Sequence, residues 1–135
     1  MAVQSKFARY EQLLHEAHVA GLAAGEAAVP VPMIVGDAKN LFSNEFAAGA
    51  KLHYVANGVC GFAWIHLGRG NSSFARWAVK NGHGSKSYYG GVDIRVRSHG
   101  QSYERKVAHA DAFVAVLKAD PLLADERIYV ESRLD

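Results

Sequence analysis

The residues best suited to chemistry lie between positions 87 and 106, where the sequence is SYYGGVDIRVRSHGQSYERK. Arg95 and Arg97 alternate with apolar residues on a basic strand, and residues 98–102 lead from this strand into a helix. Backbone N–H groups at a helix N-terminus favour anions, and guanidinium groups bind phosphate or carboxylate. The segment therefore predicts an anion-binding site at the strand-to-helix turn.

The candidate ligand-binding set joins side chains of this segment to one arginine from the last strand. Lys106 would lie one turn into the helix, and Arg133 would border the same end of the sheet, because parallel strands place their C-terminal ends together. The two tyrosines before the strand could stack on a base or another ring. The full set is Tyr88, Tyr89, Arg95, Arg97, Ser98, Gln101, Ser102, Lys106 and Arg133. The alternative is a solvated basic strand followed by an ordinary serine cap.

The glycine pair Gly90-Gly91 precedes the basic strand and not the helix that follows it. Walker loops and dinucleotide-binding fingerprints need their glycines at the strand-to-helix turn, so the spacing here matches neither motif. We therefore expect these glycines to shape the backbone, either by forming a bulge or by admitting a closely packed neighbour.

No catalytic or metal-binding motif is recognisable in the sequence. His15 and His18 are one residue short of the zinc-protease spacing, and no third ligand is apparent. Asp93 and Asp111 are isolated carboxylates, so they suggest no acid–base pair. We predict no catalytic residue, no metal site and no cofactor. If the protein is an enzyme acting on a phosphorylated substrate, His99 is the acid or base nearest the anion site.

The elements that must position these residues follow the order α-β-β-α-β-α-β in one domain spanning residues 1–135. A long helix is expected at about 5–28, because apolar residues recur there every three or four positions. An irregular segment at 30–50 and an α/β core at 51–135 follow. The alternation in the last two strands and the helix between them predicts a β-α-β unit.

A second supersecondary unit is indicated by Asn57-Gly58, which lies between two strand-like runs. This dipeptide is typical of a two-residue hairpin turn, and pairing outward from it would place Val55 opposite Cys60. Both faces of the strand after the turn are apolar, so we expect that strand to be central in the sheet. The predicted fold is α+β, with a small mixed sheet (β-hairpin plus β-α-β unit) packed with three helices.

Composition limits the classes of function. With 135 residues and a net charge of +2, the protein can bury a core of its own, but the whole molecule is no polyanion binder. Its single cysteine excludes an intrachain disulfide. No apolar run approaches the roughly 20 residues that span a bilayer. We therefore expect a cytoplasmic protein without a membrane partner.

Six short motifs occur in order along residues 32–135, namely PMIVG, GVCGFAW, FARW, YYGGV, QSYERK and SRLD. In these motifs the chain resembles a group of small uncharacterised proteins encoded by bacteriophages. The resemblance implies an accessory protein acting in the cytoplasm of the infected cell, and it brings no activity, cofactor or catalytic residue with it. The segment DPLLADERIYV departs from the pattern, since it exceeds a tight helix-to-strand turn.

Three functions are compatible with these features. The first is a non-enzymatic binding module for a small anionic ligand or a host protein, with a role in host takeover or anti-defence. The second is a nucleic-acid-binding protein that uses the basic strand and the tyrosines. The third is the small enzyme acting on a phosphorylated substrate. A homo-oligomer is a further expectation, because the apolar hairpin faces could bury a dimer interface.

Overall fold

A computed structural model describes residues 5–35, 53–55 and 58–135. The first helix, α1, spans Lys6–Ala27, close to the predicted 5–28. It begins at Ser5, whose hydroxyl accepts a hydrogen bond from the backbone N–H of Ala8 at 3.1 Å. It ends before Pro30 and Pro32, since a residue preceding proline is disfavoured in helical conformation.

The remaining elements alternate short strands with two further helices. In chain order they are β1 (Met33–Val35), β2 (His53–Val55), β3 (Gly61–Leu67), α2 (Ser73–Lys80), β4 (Ser85–Lys86), β5 (Val92–Arg95), α3 (Tyr103–Ala119) and β6 (Ile128–Leu134). The α+β class is confirmed, and the predicted order is correct in outline, with short strands β1 and β4 added. Residues 36–50 of the predicted irregular segment lie outside the described residues.

Four strands form one antiparallel sheet in the order β4-β5-β3-β6. The run from β3 to β6 is β-α-β-β-α-β, the ferredoxin-like arrangement of supersecondary elements. Strands β5 and β6 point in the same direction, as the predicted β-α-β unit requires, but β3 lies between them. Every pairing in this sheet is therefore antiparallel, and the prediction of a mixed sheet is wrong.

The predicted hairpin around Asn57-Gly58 is also wrong. Strand β2 pairs with β1 in a separate two-stranded sheet, where Val55 is opposite Met33. Strand β3 is central, as its two apolar faces indicated, but β5 and β6 occupy both of its edges, so β2 has no edge to join. Cys60 instead forms an isolated bridge with Ser102.

The core lies between the helices and one face of the four-stranded sheet. Alternate strand residues point toward the helices and are buried, namely Ala63, Ile65, Leu67, Val92, Ile94 and Ile128. Leu13, Leu14 and Ala17 of α1 pack into the same cluster, together with Phe74 of α2 and Phe113 of α3. All three helices contribute buried residues to this one cluster, and we call the opposite face of the sheet the open face.

Helices α1 and α3 pack antiparallel and are held at both ends. Arg9 donates two hydrogen bonds to one carboxylate oxygen of Asp120, at 3.0 and 2.7 Å. At the other end, Arg105 donates to the backbone carbonyls of Gly25 and Glu26, both at 2.9 Å, which are orphan acceptors at the end of α1. Among the described helices, none combines the length and hydropathy of a bilayer span.

Candidate functional site

The open face is built from the strand residues that alternate with the core. It carries aromatic rings and charges from three strands, namely Phe62, Trp64, His66, Asp93, Arg95, Tyr129, Glu131 and Arg133. The antiparallel register arranges them in rows across the sheet. Trp64 lies between Arg95 and Glu131, and His66 lies between Asp93 and Tyr129.

Three cations surround the ring of Phe62 at one end of this face. The guanidinium carbons of Arg95 and Arg133 lie 5.2 and 5.4 Å from the ring centre, and the Lys106 ammonium lies 5.3 Å from it. Arg133 also lies 5.8 Å from the Trp64 ring. These distances are typical of cation–π contacts. The structure thus brings together three of the predicted ligand-binding residues.

Lys106 is the buried member of this cluster. Its residue is 6% exposed, and its ammonium donates a hydrogen bond to the Gly61 carbonyl at 3.2 Å. Among the described residues, salt bridges join Arg9 to Asp120 and His66 to Asp93, and none includes the three cations around Phe62. The two exposed cations, Arg95 and Arg133, therefore keep their positive charge available for an anion, whereas the Lys106 ammonium is held by the Gly61 carbonyl.

The C-terminal ends of β5 and β6 lie at the same end of the sheet, as predicted. The register places Arg133 directly opposite Phe62, while Arg95 is opposite Trp64 on the other side of β3. Pairing continues one residue past β5, because the Val96 N–H donates to the Ala63 carbonyl at 3.0 Å. Arg97 follows as an exposed side chain in a shallow depression with Arg95.

The strand-to-helix turn at residues 98–102 uses several of its polar groups in contacts within the fold. Ser102 caps α3, and its hydroxyl accepts from the Arg105 N–H at 3.3 Å. The Tyr103 N–H donates to the Val59 carbonyl at 3.0 Å, and the Gln101 carbonyl accepts from Gly61. Ser98 is half-buried and the Gln101 side chain is exposed. The backbone here is largely committed to holding the start of β3 against α3.

Tyr88 and Tyr89 lie at the other end of β5, in its hairpin with β4. Each is 93% exposed, and their rings meet edge to face at 4.9 Å. Gly91 follows with φ of 77°, and a Cβ there would collide with the Leu67 carbonyl and lie 2.9 Å from His66 Nε2. The interpretation as a means of close backbone approach is confirmed for Gly91, whereas a Cβ on Gly90 would meet no neighbour within 4 Å.

A group of potential metal ligands lies in the middle of the open face. His66 Nδ1 is 2.6 Å from Asp93 Oδ1, and Glu131 brings a carboxylate oxygen so that one atom of each residue lies within 4.8 Å of the others. The interpretation of Asp93 as an isolated carboxylate is therefore wrong. His66 and Asp93 are 27 residues apart, and only the β3–β5 register makes them neighbours. Both residue types are visible in the sequence, but recognising them as a pair requires the β3–β5 register.

His99 is directed away from the open face, toward the α1–α3 interface. Its Nε2 lies 3.0 Å from His109 Nδ1, and its ring occupies space that a Cβ on Gly25 would fill. Burial is the main cause that lowers the pKa of His99, and nearby Arg105 is the next. These contacts give the ring a structural role between the helices and provide no support for His99 as the acid or base of an anion site.

His109 is the most buried of the histidines in this interface, at 3% exposure. Burial, followed by His99 and His18, lowers its pKa from 6.5 to about 4. The ring fits against α1 because position 21 is glycine, where a Cβ would lie 2.7 Å from two ring atoms. His109 is therefore neutral at pH 7.

His15 and His18 are both exposed on α1, as expected of polar residues on its solvent flank. With Glu11 and His83 they line a cleft of about 400 Å³ whose floor includes Phe113. Among the described residues, the only close group of three metal-ligand types is the one at His66, so this cleft has no preformed metal site.

Comparison with known proteins gives no relative for this chain. No protein-family model matches it, and neither the curated proteins nor the solved structures contain a significant match.

Proposed function

We propose that the protein is a non-enzymatic module that binds single-stranded nucleic acid on its open sheet face. The observation that carries this proposal is the cluster of Arg95, Lys106 and Arg133 around Phe62, with Trp64 in the next row. Cations without carboxylate partners attract a phosphate backbone, and aromatic rings beside them offer stacking surfaces for bases.

The arrangement of the aromatic rings supports a single strand over a duplex. Phe62 and Trp64 are half-buried on adjacent rows of the central strand, with ring centres 6.2 Å apart. Unstacked bases can reach such rings, whereas bases inside a duplex are already stacked on each other. A four-stranded antiparallel sheet that presents aromatic side chains is a known design for binding splayed single-stranded bases.

The length of the open face supports a polymer over a small anion. Strand β3 has seven residues, which corresponds to about 20 Å at the usual rise per residue. The cation cluster lies at one end of this strip, and Tyr88 and Tyr89 lie beyond the other end. One phosphate cannot contact both ends, but an extended oligonucleotide can. On this proposal the exposed members of the predicted set, namely Tyr88, Tyr89, Arg95, Arg97 and Arg133, are parts of one long surface.

The charges make a quantitative prediction about salt. If Arg95, Arg97 and Arg133 each contact one phosphate, the logarithm of the affinity should fall with the logarithm of salt concentration with a slope of about −2. Lys106 is excluded from this count, because its ammonium is buried and bonded to a carbonyl.

The test is fluorescence anisotropy with labelled single-stranded RNA and DNA homopolymers at several salt concentrations. Wild type should bind, and Arg95→Gln plus Arg133→Gln should weaken binding by about 10- to 100-fold, since two charge-assisted phosphate contacts are lost. The matched control, Arg76→Gln plus Lys80→Gln, removes two charges from exposed positions on α2. It should change the affinity less than threefold.

Two outcomes would contradict the proposal. One is an equal loss of affinity in both double variants, which would show attraction by overall charge and no specific surface. The other is binding of a nucleoside monophosphate as tightly as an oligonucleotide, which would identify a small-anion module in place of a nucleic-acid surface.

A further inference from the structure

The centre of the open face concentrates negative charge in a way that the nucleic-acid proposal leaves unexplained. Asp93 faces His66 across the β3–β5 pair, and Glu131 reaches the same point from β6, one row away. The three ligand atoms lie within 4.8 Å of one another. The side chains of His66 and Asp93 are 8% and 22% exposed, whereas Glu131 is exposed, so the group lies at the surface with its histidine buried.

Two carboxylates at this separation repel each other unless a positive charge lies between them. Arginines are available on the same strands, since Arg95 follows Asp93 and Arg133 follows Glu131. Yet within the described residues neither acid forms a salt bridge with them, and Asp93 pairs only with His66. The arginines lie against Phe62 and Trp64 instead. The acids are therefore placed to share a cation of another kind.

We propose that His66, Asp93 and Glu131 bind one divalent transition-metal ion of the zinc or manganese class. One imidazole nitrogen and two carboxylate oxygens suit such ions, whereas magnesium and calcium favour oxygen ligands alone. Three protein ligands leave at least one coordination position open toward the open face, as in zinc sites that keep a position for water or substrate.

The surroundings fix the imidazole in a suitable orientation. Nε2 of His66 faces the backbone at Gly91, so Nδ1 is the nitrogen directed at Asp93. The ring of Tyr129 lies 5.0 Å from the ring of His66 and restricts its rotation. A metal bound at Nδ1 would replace the present hydrogen bond to Asp93 with a shared ligand. Fixed neighbours of this kind orient metal-ligating histidines in proteins.

Isothermal titration calorimetry of the full chain with ZnCl₂, and separately with MnCl₂, tests this proposal without any nucleic acid. Wild type should bind one ion tightly. Glu131→Gln and Asp93→Asn should each weaken binding by at least tenfold, because each removes a ligand while keeping the shape of the side chain. Neither variant should unfold, since each relieves repulsion between two carboxylates, and thermal melting without metal checks this.

The control addresses the histidine-lined cleft on α1, which is the other place where zinc could bind. His15→Gln plus His18→Gln should leave the affinity at the open face unchanged. At the same zinc concentration, zinc should raise the melting temperature of wild type and of this control more than that of Glu131→Gln. Absence of binding, or binding that is lost in the His15/His18 double variant and retained in Asp93→Asn and Glu131→Gln, would overturn the proposal. Either result would leave the nucleic-acid proposal standing.

Discussion

Charged groups have different kinds of partner in the α1–α3 interface and on the open sheet face. In the interface each cation has an acceptor: Arg9 bonds to Asp120, and Arg105 bonds to two carbonyls at the end of α1. On the open face, Arg95 and Arg133 lie against aromatic rings and have no carboxylate partner among the described residues.

This difference separates residues that hold the fold from residues that are available to a ligand. Removing a paired and buried group lowers the stability of the protein, because the partner of that group is left unsatisfied. Exposed cations on a sheet face contribute little to stability, so such residues can be replaced without loss of the fold. We therefore expect variants of the interface to change the free energy of unfolding, and variants of the open face to change binding.

The largest expected effect comes from the close contact between α1 and the histidines. Gly25→Ala would place a methyl group in the space of the His99 ring, and overpacking of this kind costs about 2–3 kcal/mol. Urea denaturation would measure the loss. The sign of the change in the free energy of unfolding shows whether position 25 is crowded. An uncrowded glycine-to-alanine change inside a helix raises stability by up to about 1 kcal/mol. A more stable Gly25→Ala variant would show that the helices do not approach this closely.

The second effect is a loss of stability in acid. His109 has a pKa of about 4 in the folded protein, against 6.5 ordinarily, so the unfolded chain binds more protons between these values. Stability from this group is complete above pH 6.5 and falls as the pH drops toward 4, by about 2 kcal/mol between pH 7 and pH 4.5. His99, whose pKa is also lowered, acts in the same direction.

The variant His109→Gln isolates this contribution, because it keeps a polar side chain but cannot titrate. Urea denaturation of both proteins at pH 7 and pH 4.5 should show a smaller acid loss in the variant, by about 2 kcal/mol. Equal losses would mean that His109 titrates normally, and hence that it is not buried between the helices as described.

The smallest expected effects come from replacing an arginine of the helix interface and an arginine of the open face. Arg105→Ala should cost about 1.5 kcal/mol, since it removes two charge-assisted hydrogen bonds to the end of α1. Arg95→Ala should change the free energy of unfolding by less than about 0.5 kcal/mol, because its side chain is exposed. If Arg95→Ala proved as destabilising as Arg105→Ala, the arginines of the open face would be structural, and the contrast between the two regions would fail.

The sequence predicted local features better than strand partners. The bounds of α1, the start of α3 after Ser102 and the central position of β3 all follow from periodicity, caps and apolar composition. The Asn57-Gly58 signal failed to predict the pairing of β3, because β5 and β6 pair with the two edges of that strand and β2 pairs with β1. A hairpin signal depends only on residues that are neighbours in sequence, whereas the pairing partners of a central strand depend on all the strands of the sheet.

The candidate site was also predicted only in part, because its composition depends on which strands pair. Arg95, Lys106 and Arg133 were found from charge and position, and the structure places them together around Phe62. The stacking role was assigned to Tyr88 and Tyr89, whereas the rings beside the cations are Phe62 and Trp64. These two belong to an apolar run that sequence patterns treat as core, and only the register identifies which of its residues face outward.

The most direct test of the central claim uses Trp64 as an internal reporter. The protein has two tryptophans, and Trp77 lies on α2, away from the open face. In a Trp77→Phe variant, titration with single-stranded oligonucleotide should quench the remaining emission as a base stacks on Trp64. The matched Trp64→Phe variant should show weaker binding and no change in Trp77 emission. Oligonucleotide binding that leaves Trp64 emission unchanged, or no binding at all, would contradict the assignment of the open face as the nucleic-acid surface.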